Sequence, residues 1–165
     1  MPVLDPHALE FISRSVEQTR RLGMRFGATL QVGDVVCLVG DLGSGKTTFM
    51  QGIASGWGSL DAVSSPSFVL VNVYRGPDGQ RLYHLDAYRL DNATQAEDLD
   101  LEGMLETGPV VVEWAERIQA ALPSKGLWVN LRWIDDVQRD LLFSGRGERY
   151  QNMIAAIRKQ IFGVK

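Results

Sequence analysis

Two short runs of consecutive apolar residues stand out along the chain. Residues 35–39 (Val-Val-Cys-Leu-Val) and 110–112 (Val-Val-Val) are dominated by β-branched side chains and contain no charged position. A strand covered on both faces of a parallel sheet reads as a continuous apolar run, whereas a half-exposed strand alternates. We therefore predict two central strands, the second of which leads into Glu113 and Trp114.

The other periodic segments predict helices and outer strands. Ser15 followed by Gln18 resembles a capping box that opens a helix running to about residue 30. Further helices are predicted at residues 46–57, 91–102, 115–122 and 150–162. Strands are predicted at residues 9–14, 68–74, 82–85, 127–133 and 141–144, with the second and third joined as a hairpin. This order predicts an α/β fold in which a central mixed β-sheet is flanked by helices in three layers.

Composition and charge narrow the class of protein. The 165 residues suit a single domain over 1–165, and 45% hydrophobic with 22% charged residues is typical of a soluble globular protein. The net charge of −3 argues against a general polycation, so a role near RNA is expected to need partners. The single cysteine, Cys37, reads as a buried hydrophobe that suits a reducing cytoplasm. We expect a cytoplasmic protein with neither an export signal nor a membrane span.

The loop after the first apolar run carries the clearest chemistry. It reads Gly40-Asp41-Leu42-Gly43-Ser44-Gly45-Lys46-Thr47 and satisfies the pattern G-x-x-x-x-G-K-S/T. Glycines let successive backbone N–H groups turn inward, and these groups together with the following helix N-terminus hold phosphate oxygens. The lysine reaches the β and γ phosphates, and the hydroxyl after it ligates Mg²⁺. The sequence thus predicts a P-loop NTPase-like domain that binds a nucleoside triphosphate with magnesium.

A P-loop enzyme also needs a carboxylate at the end of a second strand, which holds the magnesium directly or through water. Glu113 has this position. An exposed glutamate at a strand end is the plain alternative. The apolar run that precedes Glu113 favours the metal ligand.

Two further polar segments permit two interpretations each. The loop at residues 64–68, which contains Ser67, either senses the γ-phosphate or is a plain turn before a strand. His84, Asp86 and Tyr88 share one face of an extended segment because alternate side chains of a strand do so. Asp86 then either orients the attacking water or belongs to a polar outer face of the hairpin.

Four motifs together resemble the TsaE (YjeE) family of bacterial ATPases, over residues 15–145. They are Gly40-Asp41-Leu42-Gly43-Ser44-Gly45-Lys46-Thr47-Thr48, Ser65-Pro66-Ser67-Phe68, His84-Leu85-Asp86-Ala87-Tyr88-Arg89-Leu90 and Val112-Glu113-Trp114-Ala115-Glu116. The resemblance implies a role in making threonylcarbamoyladenosine in tRNAs that read codons beginning with A. It further implies that the protein binds a complex of TsaD and TsaB, and that its ATP hydrolysis resets that complex between rounds.

The same resemblance implies roles for individual residues. Phosphate contacts are expected from Gly43, Ser44, Gly45, Lys46, Thr47 and Thr48, magnesium at Thr47 and Glu113, nucleotide contacts from Thr19 and Arg139, hydrolysis at Asp86 with Lys46, and a switch at Ser67. The chain departs from the family where threonine is usual at Ser67, alanine at Ser44 and proline at Ala115. Ser67 keeps the hydroxyl and loses the methyl group that restricts the rotamer.

Three rival classes were weighed against an ATPase. A small GTPase fits Asp100-Leu101-Glu102-Gly103, but no apolar strand leads into this segment and no Asn-Lys-x-Asp segment reads guanine. A small-molecule or nucleotide kinase would need an arginine-rich lid, and no such cluster follows the second central strand. A nucleotide-gated binding module stays open, because the chain has no obvious arginine finger. We expect a protein that is monomeric alone, contacts tRNA only indirectly, and hydrolyses ATP slowly until TsaB and TsaD stimulate it.

Overall fold

The computed structural model describes residues 7–64, 71–90 and 96–163. Its strands are β1 (Ala8–Ser13), β2 (Val35–Val39), β3 (Val71–Arg75), β4 (Arg81–Asp86), β5 (Val110–Glu113), β6 (Gly126–Trp133) and β7 (Arg139–Arg146). Its α-helices are α1 (Val16–Gly27), α2 (Lys46–Trp57), α3 (Leu101–Thr107) and α4 (Glu148–Phe162), with 3-10 helices at Pro77–Gly79, Glu97–Leu99 and Ala115–Ala121. Across these ranges no helix has the length and apolar character needed to cross a bilayer.

All seven strands belong to one sheet in the order β1-β7-β6-β2-β5-β4-β3. The centre of the sheet is parallel: β2 pairs in parallel with both β5 and β6, and β5 pairs in parallel with β4. The edges are antiparallel, with β3 against β4 and with β7 between β1 and β6. The predicted mixed sheet and its two central strands are therefore confirmed, as is the hairpin formed by β3 and β4.

Apolar side chains cover the sheet on both sides and make it the middle of three layers. One side, here called the helical face, packs under α1, α2 and α4; its fully buried residues include Phe26, Ile53 and Phe143. The other side, here called the opposite face, packs under α3 and the 3-10 helix that contains Ile118. Cys37 lies in this second cluster as expected, and burial raises the pKa of its thiol to about 12.

Helix α1 begins as the capping pattern predicts, although it ends sooner. The Ser15 side chain accepts a hydrogen bond from Gln18 N at 3.1 Å, and Gln18 Oε1 accepts from Arg14 N at 2.7 Å. The helix stops at Gly27 instead of about residue 30. There Thr29 donates from both its backbone N and its Oγ1 to the Phe26 carbonyl, which tightens the last turn.

Helices α1 and α2 approach each other through glycines. A Cβ added to Gly27 would lie 2.0 Å from the Ile53 carbonyl oxygen, and one added to Gly52 would lie 2.1 Å from the Arg20 carbonyl oxygen. Only glycine permits backbone contact this close. The contact fixes the axis of α2, and the N-terminus of α2 is where the glycine-rich loop ends.

Three further elements differ from the prediction. The helix predicted at 91–102 is interrupted within the described residues: Ala96 is α-helical and Glu97–Leu99 form a 3-10 helix, but Asp100, with a positive φ of 52°, ends this stretch. Helix α3 begins after Asp100, whose side chain accepts a hydrogen bond from Gly103 N. Residues 91–95 lie outside the described residues. The helix predicted at 115–122 is a 3-10 helix interrupted at Ile118. Strand β7 is longer than predicted, because Arg139 pairs with Trp133 on β6 and with Ser13 on β1.

Candidate functional site

The glycine-rich loop joins the carboxyl end of β2 to the N-terminus of α2. Gly43 and Gly45 have φ values of 80° and 101°, the left-handed region that glycine adopts without strain. Gly45 is also the N-cap of α2 and has no side chain to accept from the first N–H groups of the helix. Those donors are thus left to an external anion, as sequence reasoning expects of a phosphate loop.

A cavity of about 290 Å³ opens beside this loop. It brings together residues from four parts of the chain that the sequence had nominated separately: the loop, β4, β5 and β7. The predicted site residues that line it are Gly43, Gly45, Lys46, Thr47, Thr48, Asp86, Glu113 and Arg139. Trp114 lines it as well, although no pattern in the sequence singled out this residue for the site.

Lys46 is buried at the floor of the cavity. Its ammonium donates to the carbonyl of Gly40 and, at 3.3 Å, to that of Asp41, and it lies 3.9 Å from the centroid of the Trp114 ring. Burial lowers the pKa of Lys46, and the nearby carboxylate of Glu113 partly offsets this. A phosphate group would replace weak carbonyl partners with a full negative charge.

Glu113 ends β5 and is buried with an exposure of 8%. Its Oε2 accepts a hydrogen bond from His84 Nε2, and His84 Nδ1 lies 3.0 Å from the hydroxyl of Tyr74. The interpretation of the hairpin as carrying a polar outer face is wrong for His84, which is only 1% exposed. The reason is that His84 lies on the helical face of the sheet, beside Tyr74, Leu82 and Val111 of the buried core.

Asp86 lies at the end of β4, directly opposite Glu113 in the strand register. Burial raises the pKa of the Asp86 carboxyl; a hydrogen bond from Tyr88 N to Oδ1 at 2.9 Å works against this, and the charge of Glu113 adds to it. Tyr88 lies beyond the strand end and is 46% exposed, so it does not share the buried face with His84.

Arg139 reaches the cavity from β7. A Cβ added to Gly45 would lie 3.4 Å from Arg139 Cγ, so the arginine stem packs against the loop. Its Nη1 donates to the carbonyls of Asp135 and Gln138 at 2.5 and 2.8 Å, while its buried Nε has no hydrogen-bond partner among the described residues.

Two other nominated residues, Thr19 and Ser44, do not line this cavity. Thr19 is buried near the start of α1, where its hydroxyl donates to Ser13 Oγ at 2.7 Å, and it does not line the 290 Å³ cavity. Ser44 lies on a second cavity, described below. Ser67, the predicted switch, lies outside the described residues.

The second cavity, of about 560 Å³, lies on the other side of the loop, where β2 and β6 end. Asp41 lines both cavities, and Ser44 contributes a buried Oγ without a hydrogen-bond partner among the described residues. Asn130 and Glu116 add polar groups to its wall. The carboxyl ends of parallel strands are where ligands bind in open α/β sheets.

The residues present fit a magnesium ion shared with a triphosphate. Within the described ranges no three His, Cys, Asp or Glu side chains form a cluster that would hold a metal by themselves. Magnesium in triphosphate sites does not require one, because phosphate oxygens and water complete its shell around one or two protein ligands. Thr47 and Glu113, which line the same cavity, supply a hydroxyl and a carboxylate of this kind.

Comparisons with known proteins point to one family. A family model described as threonylcarbamoyl adenosine biosynthesis protein TsaE matches residues 13–141. A tRNA threonylcarbamoyladenosine biosynthesis protein TsaE from Bacillus subtilis (strain 168) is 38% identical over 137 residues, which cover 82% of this chain and 84% of that relative. The protein of the same name from Treponema pallidum (strain Nichols) is 39% identical over 131 residues, covering 79% of this chain and 96% of that relative.

A solved structure agrees with the sequence comparisons. The crystal structure of YdiB from Bacillus subtilis superposes with a TM-score of 0.76 at 31% sequence identity. The match covers 93% of this chain and 96% of that chain, so it includes the sheet and the helices on both sides.

Proposed function

The chain belongs to the TsaE family, and we propose that it is an ATPase which binds ATP with magnesium and supports a TsaD–TsaB complex in threonylcarbamoyladenosine modification of tRNA. The relatives' names support the pathway. The observation that supports the activity is the 290 Å³ cavity, which combines a phosphate loop with the carboxylates of Asp86 and Glu113.

Binding is assigned to the loop and to Lys46. The uncapped N–H groups of α2 and the Lys46 ammonium would hold the β and γ phosphates, with Arg139 adding positive charge from β7. Thr47 and Glu113 would hold the magnesium, which when bound neutralises charge on the phosphate oxygens. Burial strengthens these interactions, because charges attract more strongly where water is excluded.

Hydrolysis is assigned to Asp86. Its carboxylate would accept a hydrogen bond from the attacking water, and the Tyr88 N–H fixes one of its oxygens. The raised pKa of Asp86 makes it a better base than a carboxylate in water. Water orientation of this kind accelerates phosphoryl transfer by positioning.

Partners are proposed to complete the site. Stabilisation of transition-state charge by an arginine supplied in trans raises the turnover of P-loop proteins by roughly three to five orders of magnitude. The proposed protein is a cytoplasmic monomer that turns over slowly alone, and it reaches tRNA through TsaD and TsaB.

Phosphate release from Mg·ATP tests the proposal, measured for the protein alone and with TsaB and TsaD. We expect slow release alone and an increase of at least about tenfold with both partners. The Lys46→Ala variant with the same partners is the control. Release no faster than this control would contradict the ATPase, and transfer to an acceptor hydroxyl without release to water would indicate a kinase.

A further inference from the structure

A line of hydrogen-bonded polar side chains crosses three adjacent strands under the helical face. Tyr74 on β3, His84 on β4 and Glu113 on β5 are 3%, 1% and 8% exposed. They lie beside wholly apolar neighbours such as Leu82 and Val111. Burying polar groups is costly unless each is paired, and each of these three is.

The donors and acceptors along this line can be assigned from chemistry. A carboxylate that ligates a metal is ionised and only accepts, so His84 Nε2 donates to Glu113 Oε2. The other ring nitrogen, Nδ1, then accepts a hydrogen bond that the Tyr74 hydroxyl donates, with 3.0 Å between the two atoms.

The Tyr74 hydroxyl has a second neighbour, the carbonyl of Ser64 at 3.2 Å. A hydroxyl has only one proton to donate. The Ser64 carbonyl already accepts from Asn72 Nδ2 at 3.2 Å. Tyr74 can therefore donate to His84 without leaving that carbonyl unpaired.

We propose that His84 and Tyr74 are positioning residues for the magnesium ligand, an inference that rests on the proposed function. Tyr74 fixes the tautomer and ring orientation of His84, and His84 holds Oε2 of Glu113, which leaves Oε1 for the metal. Partners that orient a metal ligand in this way typically change metal affinity by about 10- to 100-fold when they are removed. Removing either residue should therefore weaken nucleotide binding in the presence of Mg²⁺ and leave metal-free binding unchanged.

The chain supplies a matched control at Tyr83, the residue before His84 on β4. Tyr83 has a hydroxyl that bonds to Thr107 Oγ1 at 2.6 Å, and its ring packs on the opposite face. Tyr83→Phe and Tyr74→Phe thus remove the same atom from neighbouring tyrosines, of which only Tyr74 contacts His84.

The experiment measures binding of the non-hydrolysable analogue AMP-PNP by calorimetry, once with Mg²⁺ and once with EDTA. The dissociation constant in EDTA divided by that in Mg²⁺ gives the factor by which magnesium tightens binding. We expect His84→Leu to reduce this ratio by about tenfold and Tyr74→Phe to reduce it several-fold, with the EDTA value unchanged in both. His84→Gln, which keeps an N–H donor, should recover part of the loss, and Tyr83→Phe should match the wild type.

The outcomes separate the inference from the proposed function. Wild-type protein that does not bind AMP-PNP, or binds it equally with and without magnesium, would overturn the proposed function. A wild-type magnesium effect that persists in Tyr74→Phe, or that falls equally in Tyr83→Phe, would overturn the positioning role alone. Tyr74→Phe decides the matter even if His84→Leu does not fold, because it removes one oxygen and keeps the ring.

Discussion

The two faces of the central sheet belong to the same strands, but they differ in the polar side chains that lie among their buried apolar residues. The helical face carries Tyr74, His84, Asp86 and Glu113, of which Asp86 and Glu113 are the last residues of β4 and β5. The opposite face carries an apolar cluster with Cys37 at its centre. Because buried polar groups lower stability unless they are paired, their concentration on this face supports the site proposed there.

The coverings of the two faces differ as well. The helical face lies under three helices of 12 or more residues, two of which meet at backbone distance. Among the described residues, the helical elements over the opposite face are the seven-residue helix α3, the 3-10 helix Glu97–Leu99 and the interrupted 3-10 helix Ala115–Ala121. We interpret the first covering as a rigid support for the phosphate loop and the second as a looser scaffold. Substitutions under the helical face should therefore lower the free energy of unfolding more than substitutions under the opposite face.

The largest difference between a variant and its matched control is expected for Gly52→Ala, which places a Cβ 2.1 Å from the Arg20 carbonyl oxygen. The added methyl group forces α1 and α2 apart. This should lower the free energy of unfolding by about 3 kcal/mol, despite the better helix propensity of alanine. Urea denaturation measures it, with Ser55→Ala at an exposed position of the same helix as the control. A Gly52→Ala variant as stable as wild type would show that the glycine contact is dispensable.

A smaller and more direct comparison uses two fully buried isoleucines, Ile53 on the helical face and Ile118 on the opposite face. Ile53→Ala should cost about 4 kcal/mol and Ile118→Ala about 2 kcal/mol, because a tightly held cavity cannot collapse and a loosely covered one can. Both values come from urea denaturation. Equal losses of stability in the two variants would contradict the inferred difference in rigidity between the faces.

Local sequence predicted the parts of the fold that depend on neighbouring residues. The strands β2 and β5 follow from apolar runs, and the loop between Gly40 and Thr47 follows from its spacing. The interruption of the predicted helix at Asp100 was missed, because Asp100, which adopts a left-handed conformation and caps α3, looks like any other polar residue in the sequence.

The site depends on contacts between residues that are distant in the chain. His84 and Glu113 are 29 positions apart and meet only because β4 and β5 pair in parallel. Arg139 packs on Gly45 through the pairing of β7 with β6. Strand order cannot be read from local periodicity, so the His84–Glu113 contact and the place of Trp114 over Lys46 could not be predicted. The even spacing of His84 and Asp86 was the available signal, and it gave their shared face without showing what covers it.

In the proposed mechanism, different residues of one cavity bind and hydrolyse ATP: the loop with Lys46 binds it, and Asp86 supports its hydrolysis. The most direct measurement is Mg·ATP affinity and phosphate release for wild type, Lys46→Ala and Asp86→Ala under the same conditions, with TsaB and TsaD present for release. We predict that Asp86→Ala binds ATP as the wild type does and loses release, and that Lys46→Ala binds at least about tenfold more weakly. Wild-type release by Asp86→Ala, or wild-type affinity in Lys46→Ala, would contradict the claim.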